Sequence, residues 1–192
     1  MLKLIRQSVL QTVLWTIVTG IAYPLAITVI ARVAFRPQAA GSLVWRDGKL
    51  VGSALIAQQF TGKGYFWPRP SAGTYATVPS AASNYGPTSA ALQTNVDNNL
   101  KALRDAHGLP ADAPVPADLV YASASGVDPE ISPAAARFQV ARVAAARGVP
   151  VAQVSQLVDR FVQPPQWGVF GQARVNVLRL NLALDREFPA KG

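Results

Sequence analysis

The sequence predicts an α+β protein: a single N-terminal transmembrane helix followed by a small mixed α/β extracytoplasmic domain. Three observations carry that prediction. A 25-residue stretch from Gln7 to Ala31 contains no charge. An Asp-Gly pair sits between two apolar runs, a short-range hairpin signal. Further along, apolar residues recur at helical steps behind capping residues. The chain has 192 residues, half of them apolar and 15% charged, which leaves room for one ordinary domain beside the span.

The first element is the anchor. At 1.5 Å per residue, the uncharged stretch crosses a hydrocarbon core of about 30 Å with some tilt. A cleaved signal peptide is the competing reading, but its apolar core is usually about 7–15 residues. Arg32 and Arg36 also interrupt the approach to Ala39-Ala40. We therefore divide the chain into a basic tail (1–6), an anchor (7–35) and an extracytoplasmic domain (36–192). A short basic tail ahead of the span favours an N-terminus inside the cell, with the bulk exported. Membrane lipid is thus one partner. Ser8, Thr12, Thr16, Thr19 and Tyr23 follow at steps of 4, 4, 3 and 4 and share one helical face. That stripe either faces a protein neighbour or bonds back to its own helix. Pro24 predicts a kink or a neighbour that accommodates it.

In the exported part, Leu43–Trp45, the turn Arg46-Asp47-Gly48-Lys49 and the return Leu50–Ile56 read as a hairpin. Residues 61–87 are rich in Gly, Pro, Ser and aromatics and show no period, as expected of a functional or Ω-type loop. Thr88 or Ser89 caps a helix carrying Leu92, Val96, Leu100 and Leu103, which ends near His107-Gly108. Ser132 reads as the cap of a second helix with Pro133 at its first position, running to Arg147 and stopping at Gly148. A short helix, Val151–Val162, follows Pro150 and buries Val154, Leu157, Val158 and Phe161. The segment RVNVLRLNLALDREF fits an alternating strand or a helix capped by Asn176, and we lean to the helix.

Composition and motifs exclude several function classes. With no cysteine there is no disulfide framework, thiolate metal site or cysteine nucleophile. The net charge of +8 is no nucleic-acid signature. Lys3, Arg6, Arg32 and Arg36 flank the anchor, and the remaining fourteen basic residues face ten acidic ones with no basic run. The single histidine, His107, reads as a solvated helix end. Ser-x-x-Lys is absent, Ser123-Ala124-Ser125-Gly126 lacks the leading glycine of a nucleophile elbow, and Gly62-Lys63-Gly64 does not complete a phosphate loop. Asp128 reads as a loop cap through Asx-type bonds. No catalytic or metal-ligating residue is expected. What remains is GYFWPRPSA, where Pro68 and Pro70 stiffen the chain around Arg69. Tyr65-Phe66-Trp67 either plug the hairpin's open face or, with Arg69, form a docking surface.

These residues also carry a resemblance. GSLVWRDGKLVGSALIAQQFTGKGYFWPRPSA, ASNYGPTS, DLVYASASGVDPEISPAAARFQVARVA and RVNVLRLNLALD, in that order, closely resemble the C-subunit family of the Kdp potassium-transporting P-type ATPases. The similarity runs from the span almost to the C-terminus. It implies a bacterial inner-membrane complex with a channel-like potassium-binding subunit, an ATP-hydrolysing P-type subunit and a small single-span subunit. It also implies a non-catalytic accessory role in assembly, as a catalytic chaperone that raises ATP affinity. ATP is implied by the resemblance alone, with no cofactor held stably. Matching positions include Gln58 and Phe60, then Phe66, Arg69 and Ser71, then Asn84, Ser125 and Asp128, then Asn176 and Asn181. These residues and the Ser8–Tyr23 stripe are the candidate partner-interface set. Family members commonly carry a glycine pair where Ala81-Ala82 stands, so a glycine-dependent backbone there is in question. The alternative is an anchored, exported binding domain or hydrolase acting alone.

Overall fold

The computed structural model describes residues 1–189. Its contacts divide the chain into two compact units, residues 1–53 and the remainder from Ala54.

The first unit opens with one long helix, α1 (Leu2–Ala34), apolar and long enough to cross a membrane. Lys3 and Arg6 ride on its first turns. None of its residues is buried within the chain. The helix accommodates Pro24 by changing type. Proline has no N–H to give the Gly20 carbonyl, and its ring crowds that carbonyl. Residues Val18–Ala22 form a π turn in which the Tyr23 N–H reaches the Val18 carbonyl, and regular α-helix resumes at Tyr23. A single turn, Arg36–Ala39, leads to a hairpin of β1 (Leu43–Arg46) and β2 (Lys49–Ser53). Asp47 and Gly48 both have positive φ, 49° and 74°, as a type I′ turn requires. The return strand is shorter than the sequence suggested. Leu43 pairs with Ser53 and β1 offers nothing beyond it, so the ladder stops before Ala54.

The second unit combines four helices with a small sheet. The helices are α2 (Ala90–His107), α3 (Pro133–Arg147), α4 (Val151–Phe161) and α5 (Val177–Glu187). Their ends follow local chemistry. Ser89, Ser132 and Asn176 cap α2, α3 and α5 with side-chain oxygens that accept backbone N–H groups. Gly108 and Gly148 end α2 and α3 in the left-handed conformation. The sheet, ordered β3-β5-β4 and antiparallel throughout, consists of β3 (Glu130–Ile131), β4 (Val162–Gln163) and β5 (Arg174–Asn176). The C-terminal segment therefore uses both of its sequence readings: it is strand through Asn176 and helix from Val177.

The core lies between α3, α4, α5 and β5. Ala135, Ala136, Val143 and Ala144 of α3 meet Val154, Leu157 and Val158 of α4 and Leu180 and Leu184 of α5. Small residues on α3 let its neighbours approach closely. They also leave room for two buried arginines on the same helix, Arg142 and Arg147. Buried guanidinium groups need partners, and the irregular loop supplies one backbone carbonyl to each.

Candidate functional site

The stretch from Lys63 to Pro70 crosses the buried polar face of α3 and α5, and long side chains hold its backbone. The Asn181 amide accepts from the Phe66 N–H at 2.8 Å and donates to the Phe66 carbonyl at 2.9 Å. Gln139 does the same for Trp67, accepting at 2.7 Å and donating at 3.1 Å. Each amide thus imitates an adjacent strand. Arg142 donates to the Lys63 carbonyl at 2.5 Å, to Gln139 Oε1 at 2.7 Å and to His107 Nε2 at 3.1 Å. Arg147 donates to the Gly64 carbonyl at 2.8 Å, to the Phe188 carbonyl at 3.0 Å and to Asp185 at 2.7 Å. The guanidinium carbons stand 4.2 Å from the Trp67 ring centre and 4.7 Å from that of Tyr65. Pro68 and Pro70 bring no N–H that would need a partner.

This arrangement accounts for the three aromatics. Phe66 is 0% exposed and belongs to the core, while Tyr65 and Trp67 lie under the two arginines. Burial pulls the Arg142 pKa down to about 10. Burial, and secondarily the Arg142 charge, pulls His107 down to about 4. His107 is therefore a neutral acceptor whose ring lies tilted against that of Phe138, centroids 4.5 Å apart, a correction to its reading as a solvated helix end.

Beyond Pro68 the loop reaches the surface. Arg69 pairs with Asp128 at 3.1 Å, both side chains 29% exposed, and the other Asp128 oxygen accepts from the Glu130 N–H in an Asx turn. Ser71 donates to the Gly126 carbonyl at 2.5 Å and accepts from the N–H groups of Gly73 and Tyr75. The Tyr75 hydroxyl, pushed up to about 12 by burial, donates to the Arg69 carbonyl. Gly126 has φ +72°, and a Cβ there would lie 2.6 Å from the Ala81 carbonyl oxygen, so only glycine fits. Ala81 and Ala82 themselves avoid positive φ, so the backbone at the missing glycine pair needs none. Arg69, Asp128 and Glu130 line a cleft of about 680 Å³ that Gly171 to Arg174 also line.

The candidate interface residues separate by burial. Phe66, Asn176 and Asn181 are internal: Asn176 caps α5 and donates to the Ala54 carbonyl at 2.8 Å, and Asn181 holds Phe66. Their effect on any surface is exerted from beneath it. Phe60 packs against Tyr65 at 5.5 Å, and Gln58 is half-buried nearby in sequence. Arg69, Ser71 and Asp128 form one stitched surface, and Ser125 shapes its rim by accepting from the Val127 N–H. Asn84 is exposed, in the left-handed conformation. In α1, Thr16 and Thr19 donate to the carbonyls of Thr12 and Trp15, while Ser8, Thr12 and Tyr23 are exposed on the helix.

Sequence reasoning missed the connection from β4 to β5. There Trp167, Val169 and Phe170 are 83%, 77% and 61% exposed. The signal was present, a charge-free run from Phe161 to Ala173 with two glycines.

Comparison with known proteins bears on this whole architecture. Residues 5–186 match the model of the KdpC family, described as K+-transporting ATPase, c chain. The chain is 52% identical over 192 residues to a potassium-transporting ATPase KdpC subunit of Rhodospirillum rubrum, covering 98% of each. It is 52% identical over 188 residues to the KdpC subunit of Polaromonas naphthalenivorans, covering 96% of this chain and 95% of that one. Against the KdpC subunit of Dechloromonas aromatica the figures are 51% over 188 residues, covering 96% and 98%.

Proposed function

The chain belongs to the KdpC family of potassium-transporting ATPase subunits, and from that premise we propose that it works through shape, as a non-catalytic accessory subunit of the pump. In this reading α1 holds it in the bacterial inner membrane, with residues 1–6 cytoplasmic, 7–35 in lipid and the domain from 36 onward in the periplasm. The second unit docks on the other subunits: a channel-like potassium-binding chain, a P-type ATP-hydrolysing chain and a small single-span chain. Docking favours assembly and a conformation of the ATPase with higher ATP affinity, so ATP is never touched directly.

One observation carries this reading. The surface formed by Arg69, Ser71 and Asp128 rests on a loop pinned from below by Asn181, Gln139, Arg142 and Arg147. A preformed surface loses little conformational freedom on association. A guanidinium so held can make oriented hydrogen bonds to a partner's carboxylate or carbonyl groups. Coupling of about 1–3 kcal/mol is the usual size of such an effect, about 5–150-fold in affinity.

Arg69→Ala tests it. The variant chain, co-expressed with its neighbours, is expected to co-purify poorly and to leave the complex with a raised ATP requirement. Normal assembly and normal potassium-stimulated ATP hydrolysis would count against the loop's role. ATP turnover by the isolated full chain would overturn the non-catalytic assignment, and a C-terminal reporter active only in the cytoplasm would reverse the orientation.

A further inference from the structure

The loop joining β4 to β5 is a built protrusion. Its tip is closed by mutual hydrogen bonds between Gln166 and Phe170, at 2.8 and 2.9 Å, with Gly168 donating to the Pro165 carbonyl at 3.0 Å. Trp167 is held at φ +54°, a conformation that bulky residues avoid, and its ring meets that of Phe170 edge to face at 5.9 Å. Strain is thus retained in order to present indole, isopropyl and phenyl groups to the outside. No charge occurs between Phe161 and Ala173.

The base of this loop forms one wall of the cleft containing Arg69. That cleft is acidic on balance, although the chain as a whole carries +8. Asp128 is matched by Arg69 at 3.1 Å and Glu130 by Arg174 at 2.9 Å. Asp118 accepts only the Ser132 N–H, at 2.7 Å, and has no cationic partner among the described residues. An exposed aromatic anchor on a loop whose base lines the same cleft as an unmatched carboxylate has the chemistry of an interface hot spot.

We propose that the Trp167 tip and the Asp118 side of the cleft form one docking surface for a polypeptide segment of a neighbouring pump subunit, one that sets a Lys or Arg beside apolar residues. The proposal rests on the accessory-subunit reading above and names the chemistry of its partner. Charge decides among occupants. An anionic lipid surface is repelled by the acidic cleft, and a second copy of this chain in a symmetric contact sets the same acidic cleft and the same uncharged tip against themselves. A basic segment with apolar neighbours satisfies both parts.

The test uses the full chain co-expressed with its neighbours and purified in mild detergent. A photo-crosslinking residue at position 167 is expected to join the chain to a neighbouring subunit, at a segment with Lys or Arg close to apolar side chains. Trp167→Ala, and Asp118→Lys at low salt, are each expected to lower retention of the chain about tenfold or more. Trp167→Phe retains most of it. Asp118→Asn keeps an acceptor for the Ser132 N–H, so a retention loss there reports charge and not folding. Crosslinking only to lipid, only to a second copy, or to nothing overturns the proposal. So does an Asp118→Asn complex that assembles normally and changes only its potassium dependence. If Arg69→Ala disrupts assembly while the Trp167 and Asp118 variants do not, this inference alone fails. If none of them does, the docking role of the Arg69 loop fails with it, while the accessory reading is tested separately by ATP turnover of the isolated chain.

Discussion

At the residue scale, the decisive groups are amides and guanidinium groups that stand in for secondary structure. Removing one leaves buried backbone groups unpaired, which costs about 1–3 kcal/mol per group. Asn181→Ala strands both the N–H and the carbonyl of Phe66. Unfolding of the full chain in detergent is expected to show a loss of about 3 kcal/mol, with Asn181→Asp intermediate because it keeps the acceptor. Gly126→Ala has a different cause, a Cβ 2.6 Å from the Ala81 oxygen at positive φ, and is expected to cost about 2 kcal/mol or more. His107 gives the domain a pH dependence. Its folded pKa, about 4, lies below the ordinary 6.5. Above 6.5 neither folded nor unfolded chain binds the proton, so its contribution is fully present. As pH falls from 6.5 towards 4 the unfolded chain takes up a proton that the folded chain refuses, and stability declines. His107→Gln is expected to flatten that part of a melting-temperature profile, and an unchanged slope would remove His107 as its source.

At the element scale, the sequence was legible wherever a signal is local. Ser89, Ser132-Pro133, Gly108 and Gly148 mark helix ends within a few residues, and Asp47-Gly48 marks the turn. Strands of two or three residues are too short to display a period, so β3, β4 and β5 emerged only from pairing. The clamps were hidden for another reason: Gln139 lies 72 residues from Trp67 and Asn181 lies 115 from Phe66, and polar helix residues look solvated until the fold buries them. The aromatic trio consequently left two readings open, a plug or a docking surface, and its middle member is core. Pro24 illustrates the intermediate case, since a break was foreseeable but its form, a π turn, was not. Asn176 links strand and helix, capping α5 at 3.1 Å while holding the Ala54 carbonyl. Asn176→Ala is expected to lose about 2 kcal/mol, a cap together with a buried hydrogen bond. Asn176→Asp retains the cap alone and should fall between, as hydrogen exchange at the start of α5 would show.

At the scale of the whole molecule, the proposed role requires a chain without a nucleotide-binding motif to alter the nucleotide affinity of its neighbour. A shape that favours one conformation of its neighbour shifts an equilibrium only by its differential affinity for the two states. That requirement has a reciprocal consequence. If docking raises ATP affinity by some factor between about 5 and 150, ATP must tighten docking by the same factor. A non-hydrolysable ATP analogue is therefore expected to slow dissociation of the labelled chain from the detergent-solubilised complex, and Arg69→Ala is expected to reduce both effects together. Direct contact with nucleotide makes a different demand, because the chain alone would then bind the analogue. Equal retention with and without the analogue, in a complex whose ATP affinity nonetheless depends on the chain, would break the linkage and rule out coupling through docking.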